Sequence, residues 1–167
     1  MNWYVIYVQT GYEEIVQRYI KYKYQGEYTT LTPKRMLFEK RDGKYVSVIR
    51  KMFPGYVFIQ FNMDNYSYHL INDLPKVRKI LCNGLDFIHV DADEMNPILD
   101  LLDTNGIIGD SAAKMNAATT EFISGPLKGR EHLICKINKH TRRAKIRLEL
   151  LGETKMIDLG FKLDGML

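Results

Sequence analysis

The densest chemical signal in the chain is basic. Lys128, Arg130, Lys136, Lys139, Arg142, Arg143, Lys145 and Arg147 fall within twenty residues that hold one acidic side chain, Glu131. Eight cations at that density suit the neutralisation of phosphates, and the interleaved His132 and His140 add hydrogen bonding or stacking on unpaired bases. These residue types point to a nucleic-acid surface, set against the plainer reading of a solvated basic face.

Catalytic chemistry lacks its materials. His69, His89, His132 and His140 are scattered, and Cys82 and Cys135 have no CxxC partner. Walker, GxGxxG and GxSxG loops are all missing. Asp91, Asp93 and Glu94 stand where a helix begins, a place where acidic side chains complement the helix dipole, and this reading outweighs a metal site. The sequence predicts a non-enzyme with no cofactor and no metal.

Composition sets the frame for these residues. A chain of 167 residues, 46% hydrophobic, allows one domain or two modest ones. Two cysteines make no disulfide framework, no leader pattern opens the chain, and no apolar run reaches the roughly 18 residues of a membrane span. A soluble, cytoplasmic, monomeric protein without membrane contact is expected. The net charge of +4 is unevenly spread: 13 basic and 7 acidic residues in 1–81, 1 and 7 in 82–118, and 10 and 6 in 119–167. Basic blocks around an acidic one suggest polyanion contacts at both ends.

The elements that must position these groups are readable in outline. Residues 2–9 form a continuous β-prone run, and Thr10 with Glu13 has the spacing of a capping box for an amphipathic helix carrying Tyr12, Ile15, Val16, Tyr19 and Ile20. Asp42-Gly43 between two β-prone runs predicts a hairpin with a charged tip. Pro54-Gly55 then opens a central strand over 55–62, Asp64 caps a helix reaching about Asp73, and a further strand spans 77–82. Another helix is expected over 93–103. The order β, α, hairpin, β, α, β predicts an α+β domain, an antiparallel sheet with helices on it, over 1–104. Residues 105–118 read as a linker of small, polar residues. From 119 to 167 short runs alternate, most clearly Ala144, Ile146, Leu148 and Leu150 against Lys145, Arg147 and Glu149, and predict a small β-barrel.

Three motifs in this order and spacing carry a family resemblance: Trp3-Tyr4-Val5, Gly11-Tyr12-Glu13 and Phe53-Pro54-Gly55-Tyr56-Val57. With them the chain resembles the NusG family of transcription elongation factors, the first part its NGN domain. Through Ser124-Gly125-Pro126-Leu127 and 151–159 the last part is similar to a KOW domain. The stretch 125–131 and the basic residues after it bring the chain closest to the specialised, LoaP-like processive antiterminators. The resemblance implies that the NGN domain docks on the clamp helices of the largest subunit of RNA polymerase, with Trp3, Tyr4, Phe53 and Tyr56 as the contact residues. It implies contacts to non-template DNA from Ser67, Tyr68 and His69, although the His-Thr-Thr-Thr motif of one sequence-specific relative is missing there. His132 replaces a glycine usual in KOW motifs, and Leu151 replaces an aromatic that housekeeping members use toward ribosomal protein.

These departures favour a KOW domain that binds nascent RNA, a leader hairpin, through Lys128, Arg130, His132, Lys136, Lys139, His140, Arg142, Arg143 and Lys145. The expected function is operon-specific antitermination. The alternatives are a housekeeping elongation factor whose KOW domain binds termination or ribosomal proteins, and a ribosome-associated RNA-binding protein.

Overall fold

The computed structural model describes residues 1–25, 28–62, 64–84, 86–116 and 119–164. Of the segments expected from sequence, 117 and 118 of the linker and 165–167 of the C-terminal domain lie outside the described residues. In chain order the elements are β1 (Asn2–Val8), α1 (Glu13–Lys23), β2 (Thr29–Leu31), β3 (Lys34–Arg41), β4 (Lys44–Lys51), β5 (Tyr56–Phe61), α2 (Asn65–Asn72), β6 (Val77–Ile80), β7 (Cys82–Asn83), β8 (Asp86–Phe87) and β9 (His89–Val90). They continue with α3 (Ala92–Leu101), β10 (Ile107–Ile108), β11 (Ser111–Met115), β12 (Thr120–Ser124), β13 (Ile134–Asn138), β14 (Arg143–Leu150) and β15 (Glu153–Leu163). The class is α+β, as expected. No helix among the described residues is long and apolar enough to cross a membrane.

The chain divides into two units, Met1–Thr32 with Phe53–Met95, and Pro33–Met52 with Asn96–Leu167. The first is built on an antiparallel sheet in the order β2-β5-β1-β6, with β9 also pairing β1. Alternation along β1 and β5 sends Tyr4, Ile6, Val8, Val57, Ile59 and Phe61 to one face, where Val16 and Ile20 of α1 and Ile71 of α2 pack against them. Each such side chain contributes about 1.5–3 kcal/mol on burial. On the opposite face Val5 and Phe58 are fully buried too, which is why these strands read as unbroken apolar runs.

The start of α1 departs from the expected capping box. Tyr12 occupies the cap position and makes no side-chain cap bond. The carboxylate of Glu13, wholly buried, accepts the N–H of Gly11 at 2.9 Å and that of Gly55 at 2.7 Å. Gly11, at φ +95°, turns the backbone ahead of the helix, and a donor from a turn 42 residues away competes for the carboxylate that the box would need. Gly55 itself requires φ +85°, and a Cβ there would stand 3.3 Å from Thr10 Oγ1 and 3.4 Å from Val8 O. The helix start and the Pro54-Gly55 turn are thus tied to each other. At α2 the expected cap is present: Asp64 Oδ1 accepts the Ser67 N–H at 2.7 Å.

In the second unit Asp42 and Gly43 both adopt positive φ, 49° and 79°, the geometry of a tight two-residue hairpin turn between β3 and β4. The remaining strands make a five-stranded sheet in the order β12-β11-β15-β14-β13. On β14, Ala144, Ile146, Leu148 and Leu150 are buried and Arg147 and Glu149 exposed, as the alternation predicts. Phe122 and Phe161 meet edge to face at 5.7 Å in the core. Among the described residues no pairing joins β12 to β13, and the sheet is a half-barrel, in keeping with the small β-barrel expected. Gly160 lets β15 lie directly against β3, because a Cβ there would fall 2.7 Å from Met36 O.

The stretch read as a linker carries structure. Ile107 and Ile108 pair in parallel with Lys34 and Arg35, and Ser111–Met115 pairs β12 on one side and β15 on the other. Small residues are used there because Ser111 and Ala113 are buried; Ser111 Oγ accepts the Leu127 N–H at 3.0 Å.

Candidate nucleic-acid interface

The basic residues divide between the two ends of β13, roughly 14 Å apart by strand rise. At its start lie Lys128 and His132, both exposed, and Arg130, half-buried with Nη1 donating to the Pro126 carbonyl at 3.2 Å. At its far end the β13–β14 turn gathers the others. Lys139 and His140 are exposed on it, and Asn138 Oδ1 accepts the Thr141 N–H at 3.0 Å, which fixes the turn.

Register decides which cations meet. Lys136 stands opposite Lys145, and Lys145 opposite Asp158. Like charges directly across a strand pair destabilise it, so this placement costs the sheet something unless an anion joins them. Asp158 is the carboxylate within reach: Lys145 Nζ is 3.4 Å and Arg143 Nη1 3.7 Å from it, separations of loose ion pairs rather than of tight hydrogen bonds. Together Lys136, Asn138, Thr141, Arg143, Lys145 and Asp158 line a recess of about 180 Å³ with three cations and one carboxylate. Among the described residues, Arg143 Nε and Arg35 Nε are buried with no hydrogen-bond partner. Burial holds the Arg35 guanidinium below the ordinary arginine value; nearby Asp158 opposes that shift and Arg143 adds to it.

The hairpin β3–β4 brings residues to this turn that sequence reading missed. Tyr45 Oη donates to the His140 carbonyl at 2.6 Å, and the Arg142 guanidinium lies 4.0 Å above the Tyr45 ring, a cation–π contact. A second recess of about 350 Å³ opens beside the first, lined by Phe38, Glu39, Lys40, Tyr45, His140, Thr141 and Arg143. No local signal marks Tyr45, since its place beside the turn depends on a partner 95 residues away.

The aromatic residues expected at a protein surface separate. Trp3 and Tyr4, as neighbours on a strand, point to opposite faces: Tyr4 is 6% exposed in the core under the helices and packs edge to face on Phe61 at 5.5 Å. Phe53 is also 6% exposed, stacked on Tyr56 at 6.1 Å and edge-on to Phe58 at 5.6 Å. Tyr56, half-buried, meets Tyr7 at 4.9 Å, and Lys79 Nζ stands 5.5 Å over the Tyr7 ring. Trp3 shares their face at the other end of β1, with the buried Val5 between. Near α2, Ser67 is buried at its cap, Tyr68 is half-buried against Phe87 at 5.2 Å, and of the three only His69 is fully exposed. Burial raises the Tyr68 phenol above its usual value.

Comparison with known proteins places this geometry. The family model described as transcription termination factor nusG matches residues 1–99. The transcription termination/antitermination protein NusG of Pseudomonas aeruginosa is 29% identical over 176 residues, covering 96% of this chain and 95% of that protein. Its counterpart from Thermus thermophilus is 25% identical over 179 residues and covers 96% of each. A solved structure of Thermotoga maritima NusG, described for its domain interaction, shares the fold with a TM-score of 0.55 at 20% identity, over 95% of this chain and 93% of that one.

Proposed function

The chain belongs to the NusG family, and from that membership we propose that it is a transcription termination/antitermination factor of the specialised, LoaP-like kind. It binds RNA polymerase through its first unit, reads nascent leader RNA through the basic β13–β14 turn, and so promotes readthrough of terminators in particular operons. It acts by contact, not catalysis. The observation that carries the RNA half is the row Lys136, Lys145 and Arg143, like charges held side by side over a single carboxylate, Asp158. A phosphate placed among them would relieve their repulsion and release counterions. Support for the polymerase half comes from the family membership and from the half-buried pair Tyr56 and Tyr7, aromatic residues of a type enriched at protein interfaces. Of Ser67, Tyr68 and His69, His69 is the exposed one and so the one open to a DNA strand.

Two measurements test the reading. Changing Arg142, Arg143 and Lys145 together to Glu should weaken binding of the leader RNA by orders of magnitude and, where binding is still measurable at low salt, lower the salt slope by about 2–3; unchanged affinity refutes the RNA site. Terminator readthrough with the matching polymerase should require the leader hairpin on the template. Equal readthrough with and without it would point instead to a housekeeping factor. For the polymerase contact, Tyr56→Ala is the informative change, since the buried Phe53 would lose roughly 3–5 kcal/mol of stability on truncation to Ala and confound the result.

A further inference from the structure

Resting on that RNA reading, we propose that the hairpin β3–β4 completes the site and makes it selective for an unpaired nucleotide. The base enters the recess lined by Phe38, Tyr45 and His140, and the adjoining phosphate lies in the recess of Lys136, Arg143 and Lys145.

The two recesses are neighbours at the turn, with Thr141 and Arg143 lining both. Their chemistry differs as the two halves of a nucleotide differ. The smaller, about 180 Å³, is polar and carries an excess of two positive charges, three cations less one carboxylate. The larger, about 350 Å³, has ring-bearing residues on its walls and room for a planar base. Its carboxylate does not repel the ligand, because Glu39 is already engaged by Arg50 at 2.7 Å and Arg41 at 3.2 Å. The Tyr45 wall is set before any ligand arrives: its hydroxyl is held by the His140 carbonyl and its ring is covered by Arg142, so little ordering remains to be done on binding.

A duplex offers phosphates but keeps its bases stacked inside, so it fills only the smaller recess. An unpaired nucleotide fills both, which is the usual route to sequence-tolerant selection of single strands.

The test uses the full chain with a short single-stranded RNA of mixed sequence and with a blunt RNA duplex, each followed by fluorescence anisotropy. Tyr45→Leu should weaken single-strand binding roughly tenfold and duplex binding far less, whereas Tyr45→Phe, which keeps the ring but frees it from the His140 carbonyl, should lose only about twofold on the single strand. His140→Leu, on an exposed turn where folding is not at stake, should weaken the single strand severalfold. Unaltered single-strand affinity in Tyr45→Leu and His140→Leu, or equal losses on both probes, overturns the inference. The underlying RNA reading fails separately, if charge reversal at Arg142, Arg143 and Lys145 leaves both probes bound as before.

Discussion

Replacing Glu13 by Ala removes an acceptor that serves two backbone donors from different parts of the chain. The Gly55 N–H, at 2.7 Å, is buried, and the Gly11 N–H, at 2.9 Å, is partly so. A hydrogen bond to a charged group contributes about 1.5–3 kcal/mol, and a buried donor left unsatisfied costs about 1–3 kcal/mol. Water can reach Gly11 more readily than Gly55, so the sum settles at about 3 kcal/mol, a large share of the ~5–15 kcal/mol typical of a domain. Urea unfolding followed by Trp3, the sole tryptophan and a residue of β1 in the same unit, reads this directly. With a slope near ~2 kcal/mol/M, the midpoint should fall by about 1.5 M. Glu13→Gln keeps one acceptor oxygen and should lose about half as much. Hydrogen exchange at the Gly55 amide should accelerate in both variants. A midpoint shift below ~0.3 M in Glu13→Ala, or a Gln variant less stable than the Ala one, would show that the carboxylate does not tie the helix to the turn.

Other outcomes follow from single contacts. Gly160→Ala places a methyl 2.7 Å from Met36 O and should cost about 1–3 kcal/mol in thermal or urea unfolding, while Gly109→Ala, with nothing within 4 Å, should be near neutral. Equal effects at the two glycines would remove the claim that β3 rests on β15. Ser111→Ala strands the buried Leu127 N–H and should cost about 1–3 kcal/mol, recovered largely by Ser111→Thr if the hydroxyl alone matters. At α2 the Ser67 backbone N–H holds the Asp64 carboxyl below its ordinary value. The cap is therefore fully present above the unfolded-state pKa of about 4 and is lost as pH falls through the lower folded value. Protection of the Ser67 amide that declined on raising the pH would contradict this assignment.

What was legible in the sequence was whatever near neighbours decide. Asp42-Gly43 fixes its own turn, Asp64 caps the helix three residues on, and the two-residue period of β14 declares its buried face. The opposite faces of Trp3 and Tyr4 were equally implicit in that period, but the unbroken apolar run of β1 obscured them because both faces of the sheet are covered. Glu13 misled because its spacing from Thr10 fits a local cap, whereas its carboxylate accepts the N–H of Gly55, 42 residues away, at 2.7 Å. Residues 105–118 read as a linker partly because 111–113 are small; Ser111 and Ala113 are small where they are buried between β12 and β15, a fact held by Phe122 and Phe161 rather than by the stretch itself. At the candidate interface the cations were visible as a count, but their separation into the two ends of β13, and the arrival of Tyr45 among them, belong to the register of distant strands.

The contact between Gly160 and the β3 backbone also sets an order of events during synthesis. The hairpin is complete at Lys51, yet the strand that covers Met36 and Leu37 begins at Glu153, roughly a hundred residues later. At about 5–20 residues per second, the apolar side of the hairpin waits about 5–20 s for its cover while the ribosome continues. Lys40, Arg41 and Lys44 at its tip, together with Arg50 along its edge, then act as gatekeepers that discourage a second nascent chain from pairing with it.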